Sequence, residues 1–142
     1  MKYLLFVLLI MFASLFKAQA KVCELPESLN GITFLFNIST VYSPSNTMAG
    51  MLLESTFSDK TYTIEVLDTG EAFTGSYDYQ RFLPKFARFN VREGTGANLA
   101  LYSKTLVCKT NRMGFVIFSL RQGPEQVTAP HDIGTYVIKS VQ

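Results

Sequence analysis

Apolar and polar positions alternate with a period of two along most of this chain, and no stretch carries a helical stripe over three turns. The clearest run is 69–80, TGEAFTGSYDYQ, where Phe73, Gly75, Tyr77 and Tyr79 share one face and Thr74, Ser76 and Asp78 the other. That pattern predicts a half-buried strand. The same alternation predicts strands over 32–42, with Ile32, Phe34, Phe36 and Ile38 on one face, over 49–57, with Met51, Leu53 and Phe57, and over 61–66, with Tyr62, Ile64 and Val66. In the second half, 85–92 turns Ala87, Phe89 and Val91 inward and Arg88, Asn90 and Arg92 outward. Two short strands follow, 97–102 and 105–109, and a last one covers 133–139. Between them, 113–120 carries Phe115, Val116, Ile117 and Phe118 without alternation, which predicts a strand covered on both faces.

Turn residues punctuate these runs: Ser43-Pro44-Ser45-Asn46, Ser58-Asp59-Lys60, Asp68-Thr69-Gly70, Glu93-Gly94-Thr95-Gly96 and Asn111-Arg112. The longest irregular stretch is 121–132, with Gly123, Pro124 and Pro130. Eight or nine short strands joined by short turns predict an all-β fold, a small up-and-down antiparallel barrel of about eight strands. Pairing the last strand with the first would hide both edges. Phe34, Phe36, Phe57, Tyr62, Tyr77, Tyr79 and Phe89 would then fill the interior as a solid core.

Residues 1–20 break the pattern. Lys2 precedes an apolar run over 3–16, and Ala18-Gln19-Ala20 supplies the small-x-small cleavage pattern, so 1–20 reads as a signal peptide. The run is too short to cross roughly 30 Å of hydrocarbon, so no stable membrane span is expected after cleavage. A lipoprotein signal would want a small residue directly before Cys23, where Val22 stands. The expected mature chain, 21–142, suits a single barrel domain in the periplasm or outside the cell.

Cleavage also changes the charge. It removes Lys2 and Lys17, leaving eleven bases against eleven acids, so the positive balance of the whole chain does not point to nucleic acid. The remaining charges are uneven. Residues 21–71 hold seven acids and two bases, whereas 72–142 hold four acids and nine bases. A barrel made from these halves would have an acidic and a basic side, unless the two pair across strands. Such asymmetry suits docking to a partner protein with complementary charge. The densest basic stretch, Arg81, Lys85, Arg88 and Arg92, is interleaved with Phe82 and Phe86.

In an exported chain Cys23 and Cys108 are expected to pair, tying the mature N-terminus to a late strand; the alternative is two buried free thiols. Two distant cysteines and one histidine are too few ligands for a metal site. His131 is the sole histidine and adjoins Asp132 in a loop, without a third group to orient it. No G-x-S-x-G, H-E-x-x-H or P-loop motif is present. Glu54, Glu65, Asp68 and Glu71 cluster in the first half, and a barrel could place two of them as a glycosidase pair, but Glu54 and Glu65 fall on the polar faces of their strands and read as solvated exterior charges. The chain therefore reads as non-catalytic, with no cofactor and no nucleic-acid partner. Asn37-Ile38-Ser39 matches the glycosylation sequon, which matters only in a eukaryotic secretory pathway.

Gly31-Ile32-Thr33-Phe34 opening a strand, Phe57-Ser58-Asp59 at a turn, Gly75-Ser76-Tyr77-Asp78-Tyr79 in mid-chain and Gly134-Thr135-Tyr136 near the end resemble MoaF-type lipocalin-like barrels of bacteria. The resemblance rests on turn glycines and strand aromatics, so it implies a calycin-like barrel and carries over no functional residue. Size and cysteine count are also similar to those of periplasmic lysozyme inhibitors, but their serine-glycine recognition loop is missing here.

The expected function is partner-protein binding of the inhibitor or toxin-immunity type. Arg81, Lys85, Arg88, Arg92 and His131, together with the loop 122–132, are the expected contacts. The alternative is a carrier of a small apolar ligand, held among Phe34, Phe36, Tyr77 and Tyr79.

Overall fold

A computed structural model of the chain describes residues 22–39, 49–123 and 131–141. The expected signal peptide, the turn at 43–46 and most of the irregular stretch at 124–130 lie outside the described residues. Eight strands close into one antiparallel barrel: β1 Ile32–Ile38, β2 Leu52–Phe57, β3 Thr61–Val66, β4 Glu71–Leu83, β5 Phe86–Glu93, β6 Ala100–Thr110, β7 Met113–Gln122 and β8 His131–Val141. Each strand pairs with the next in sequence, and β8 returns to pair with β1, so no sheet edge is left open. The fold is a small lipocalin-like up-and-down barrel. Among the described residues its only helical piece is a 3₁₀ turn, Gly96–Asn98, and no helix is long and apolar enough to cross a membrane.

Period-two spacing decides which side chains point inward. Phe34, Phe36, Leu53, Phe57, Tyr62, Ile64, Val66, Ala87, Phe89 and Val91 are all buried in one core. Its aromatic rings interlock. Phe34 stacks on Phe36 at 5.5 Å, while Phe57 meets Tyr77 and Phe89 edge-on at 5.0 and 5.3 Å.

Residues 22–31 close one end of the barrel. Leu25 and Leu29 are buried in the core, and the Leu25 amide donates to the Pro84 carbonyl at 2.8 Å. The Tyr79 hydroxyl donates to the Pro26 carbonyl at 2.6 Å, and the Arg81 guanidinium donates to the Leu25 carbonyl at 2.8 Å. Cys23 and Cys108 form a disulfide, with Cα atoms 6.1 Å apart, that fastens this segment to β6.

Three local expectations change. First, 97–102 and 105–109 are not two strands. β6 runs unbroken through Ser103 and Lys104, because Lys104 finds an inward position among aromatic rings that its polar character does not announce. Second, β7 is covered on one face only: Phe115 is 48% exposed and Ile117 38% exposed. Third, His131 is not in a loop, since its backbone opens β8 opposite Ser119.

Candidate functional site

Two regions of the barrel stand out chemically, one on its outer wall and one inside. The outer wall of β5 to β8 follows from register. Met113 lies opposite Val137, Ile117 opposite Ile133, and Phe115 opposite Val107, which in turn faces Phe86. Met113, Phe115, Ile117, Ile133, Val137 and Phe86 are all exposed, so this is a continuous apolar face with no cover from the described residues. Contiguous apolar surface of this kind marks an interaction site more often than scattered single residues do.

Among the described residues, the outward-facing charges on β5 to β8 carry one sign. Lys85, Arg92, Lys109 and Arg121 are exposed on or beside these strands, and Arg88 is half-buried with its guanidinium 5.6 Å from the centre of the exposed Phe82 ring. The wall formed by β2 to β4 and its turns carries Glu54, Asp59, Glu65, Asp68, Glu71 and Asp78. Pairing between the two sets is slight: among the described residues, only Lys139 and Glu54 bridge them, at 2.6 Å. Glu54 sits directly opposite Glu65 in the β2–β3 ladder, so Lys139 offsets a like-charge pair there. Neither glutamate faces the interior.

The basic residues expected to meet a partner are placed unequally. Arg81 points toward the closed end, with its side chain only 17% exposed, and forms ion pairs with Glu24 and Glu27. Its guanidinium is thus committed to holding the N-terminal segment. Lys85, Arg88 and Arg92 belong to the outer surface beside the apolar face. Phe34 and Phe36 are fully buried in the core, and Tyr77 and Tyr79 are half-buried against it.

The inner region adds two charged residues, Glu93 and Lys104, to the aromatic interior that the sequence predicts. Glu93 is the last residue of β5 and shares the inward parity of Ala87, Phe89 and Val91. Tyr62 on β3 pairs with Gly75 on β4, which pairs with Glu93 on β5. A side chain at Gly75 would block the crossing, because a Cβ there would stand 2.9 Å from the Tyr62 ring and 3.0 Å from Glu93 Cγ. Through this gap the Tyr62 hydroxyl donates to Glu93 Oε1, and the Tyr102 hydroxyl donates to the same oxygen. The two phenol oxygens lie 2.9 Å apart. Burial pushes both tyrosines upward from 10.0, reinforced by the neighbouring carboxylate.

Lys104 lies one row further along. It is buried, and its ammonium stands 4.5 Å from the centre of the Phe36 ring, 5.8 Å from Phe89 and 5.7 Å from Tyr102. Among the described residues no carboxylate oxygen comes within 4.0 Å of it. Desolvation lowers this amine from 10.5 to about 8, and the more distant charge of Glu93 acts in the opposite sense. The interior is therefore aromatic but not apolar. Counting by twos from Cys108 through Leu106 would have placed Lys104 inside, and counting from Phe89 through Val91 would have placed Glu93 inside.

Polar loose ends are few. Ser55 Oγ, Asn90 Oδ1 and the Tyr136 hydroxyl are buried without a hydrogen-bond partner among the described residues. No group of three or more His, Cys, Asp or Glu side chains among the described residues is placed to hold a metal ion.

Fold and surface together define a disulfide-tied antiparallel β-barrel with a one-sided apolar face. Compared with known proteins, the chain matches no family model, no curated protein and no solved structure.

Proposed function

We propose that the protein is a non-catalytic exported barrel, periplasmic or secreted, that docks a partner protein in the manner of inhibitors and toxin-immunity proteins. The observation that carries this reading is the face of β7 and β8 that the described residues leave uncovered. Met113, Phe115, Ile117, Ile133 and Val137 form it, and Lys85, Arg88, Arg92, Lys109 and Arg121 are the charges around it. An apolar centre with a charged periphery is the usual anatomy of a protein interface, and the one-sided charge would steer an acidic partner. The disulfide fits an oxidising compartment. Kinship with MoaF-type barrels belongs to the same proposal.

The test is affinity capture from the producing cell and from competing cells, using wild-type protein beside two variants. A single stoichiometric partner should be retained by wild type. It should be lost with Phe115→Ser plus Ile117→Ser and weakened about tenfold or more by Arg88→Glu. Equal recovery by all three proteins, or recovery of chaperones alone, would remove the reading.

A further inference from the structure

The turn between β4 and β5 carries apolar side chains into solvent at the closed end of the barrel. Phe82, Leu83, Pro84, Lys85 and Phe86 are all exposed, Leu83 by 59%. The turn is nevertheless fixed in place. The Leu25 amide donates to the Pro84 carbonyl at 2.8 Å, and the Cys108 amide donates to the Lys85 carbonyl at 3.1 Å. Large apolar side chains held together in water mark a contact surface.

Charge and position select what it contacts. Lys85 and Lys109 are exposed beside the turn, and the Arg88 guanidinium stands 5.6 Å from the centre of the Phe82 ring. These three bases pair with no acid among the described residues. The acids of the N-terminal segment, Glu24 and Glu27, are held on Arg81, and Asp59 stands beside Lys60 in the separate β2–β3 turn. The chain also enters the described structure at this end: Val22 is exposed, and Cys23 is bonded to Cys108, the residue before Lys109. Reading 1–20 as a leader puts this end at the membrane until cleavage. The strand ends that flank 40–48 and 124–130 belong to the opposite end, because the β1–β2 and β7–β8 connections lie across the barrel from the β4–β5 turn. A turn offers few side chains, whereas each partner in a standard protein interface supplies roughly 800 Å². A fluid bilayer accepts a small apolar point without matching its shape, and anionic headgroups attract the bases around it.

We infer that the closed end of the barrel docks on an anionic lipid surface, with Phe82, Leu83 and Phe86 in the apolar layer and Lys85, Arg88 and Lys109 among the headgroups. The inference shares with the reading above the export of the chain, but not the outer face of β7 and β8, so the two fail separately.

The protein recovered after export is sedimented with vesicles of phosphatidylcholine alone and of equal parts phosphatidylcholine and phosphatidylglycerol. Anionic vesicles should bind it about tenfold or more tightly than neutral ones, and rising salt should weaken that binding. Phe82→Ser plus Leu83→Ser, and separately Lys85→Gln plus Lys109→Gln, should each lose about tenfold or more in affinity for anionic vesicles. Phe115→Ser plus Ile117→Ser should lose the partner protein and still bind vesicles as wild type does. The chain has no tryptophan, so Phe82→Trp reports on the turn alone. Its emission should move to shorter wavelength on anionic vesicles, and that of Phe115→Trp should not. Equal binding of the two vesicles, wild-type affinity in either turn variant (as a retained leader would give), an unmoved Phe82→Trp emission, or no binding at millimolar lipid would each overturn the inference. Loss of vesicle binding in Phe115→Ser plus Ile117→Ser would overturn it too, by moving the contact to the outer wall.

Discussion

Lys104 on β6 reaches across the lumen until its ammonium stands 4.5 Å from the centre of the Phe36 ring on β1. The contact joins strands that are not neighbours in the barrel wall, so closure of the sheet creates it. Its energetic sign is set by burial, since the ring recovers less than water would have supplied.

The pH dependence of stability should carry this signature. The Lys104 amine titrates at about 8 in the folded chain and at 10.5 when solvated, so between those values the unfolded chain binds more protons. Stability should therefore rise with pH across that window, and the full penalty should be present below it. Lys104→Met should stabilise the protein by about 2–3 kcal/mol at neutral pH and flatten the rise. Tyrosines act in the opposite direction at higher pH. Burial raises Tyr136 from 10.0 to about 12 and raises Tyr62, Tyr79 and Tyr102 as well, so the unfolded chain ionises first and stability should fall above pH 10. Urea midpoints at intervals from pH 6 to 11 check both limbs, and a monotonic profile would contradict the placement of these groups.

Gly75 is the second point of leverage. A methyl group there would stand 2.7 Å from the Arg92 carbonyl and 2.9 Å from the Tyr62 ring. Gly75→Ala should cost about 1–3 kcal/mol by overpacking and should separate Tyr62 from Glu93. The urea midpoint measures the cost. A midpoint equal to that of the wild type would mean that Tyr62 does not cross to Glu93 over this residue.

The disulfide should matter through the segment it fastens. Cys23 and Cys108 are 85 residues apart in sequence, and their bond holds Leu25 and Leu29 in the closed end. Reduction, or Cys108→Ser, should lower stability by about 2–5 kcal/mol. Denaturant curves with and without reductant decide this, and coincident curves would show that the segment stays in place without the bond.

Much of the wall was legible from alternation. Ile32, Phe34 and Phe36, then Tyr62, Ile64 and Val66, then Ala87, Phe89 and Val91 are inward as their spacing implies, because successive strand side chains must take opposite faces. The pairing of the two cysteines was legible for a different reason, from the expectation of export and from their count. In the sequence Lys104 looks like part of a break between two strands, since a lysine carries no local sign that rings from β1 and β5 will cover it. Arg81 lies near Lys85, Arg88 and Arg92 in sequence, yet strand parity turns it inward to Glu24 and Glu27.

By itself, then, the order of residues determined a barrel of antiparallel strands, part of its core and the segregation of acidic and basic halves. Tertiary structure alone decided that Glu93, Tyr62 and Tyr102 converge, that among the described residues no carboxylate pairs with Lys104 inside, and that these residues leave one face of β7 uncovered. The physical reason is that alternation is a local constraint on each strand, whereas these three features depend on which strands closure and register bring together.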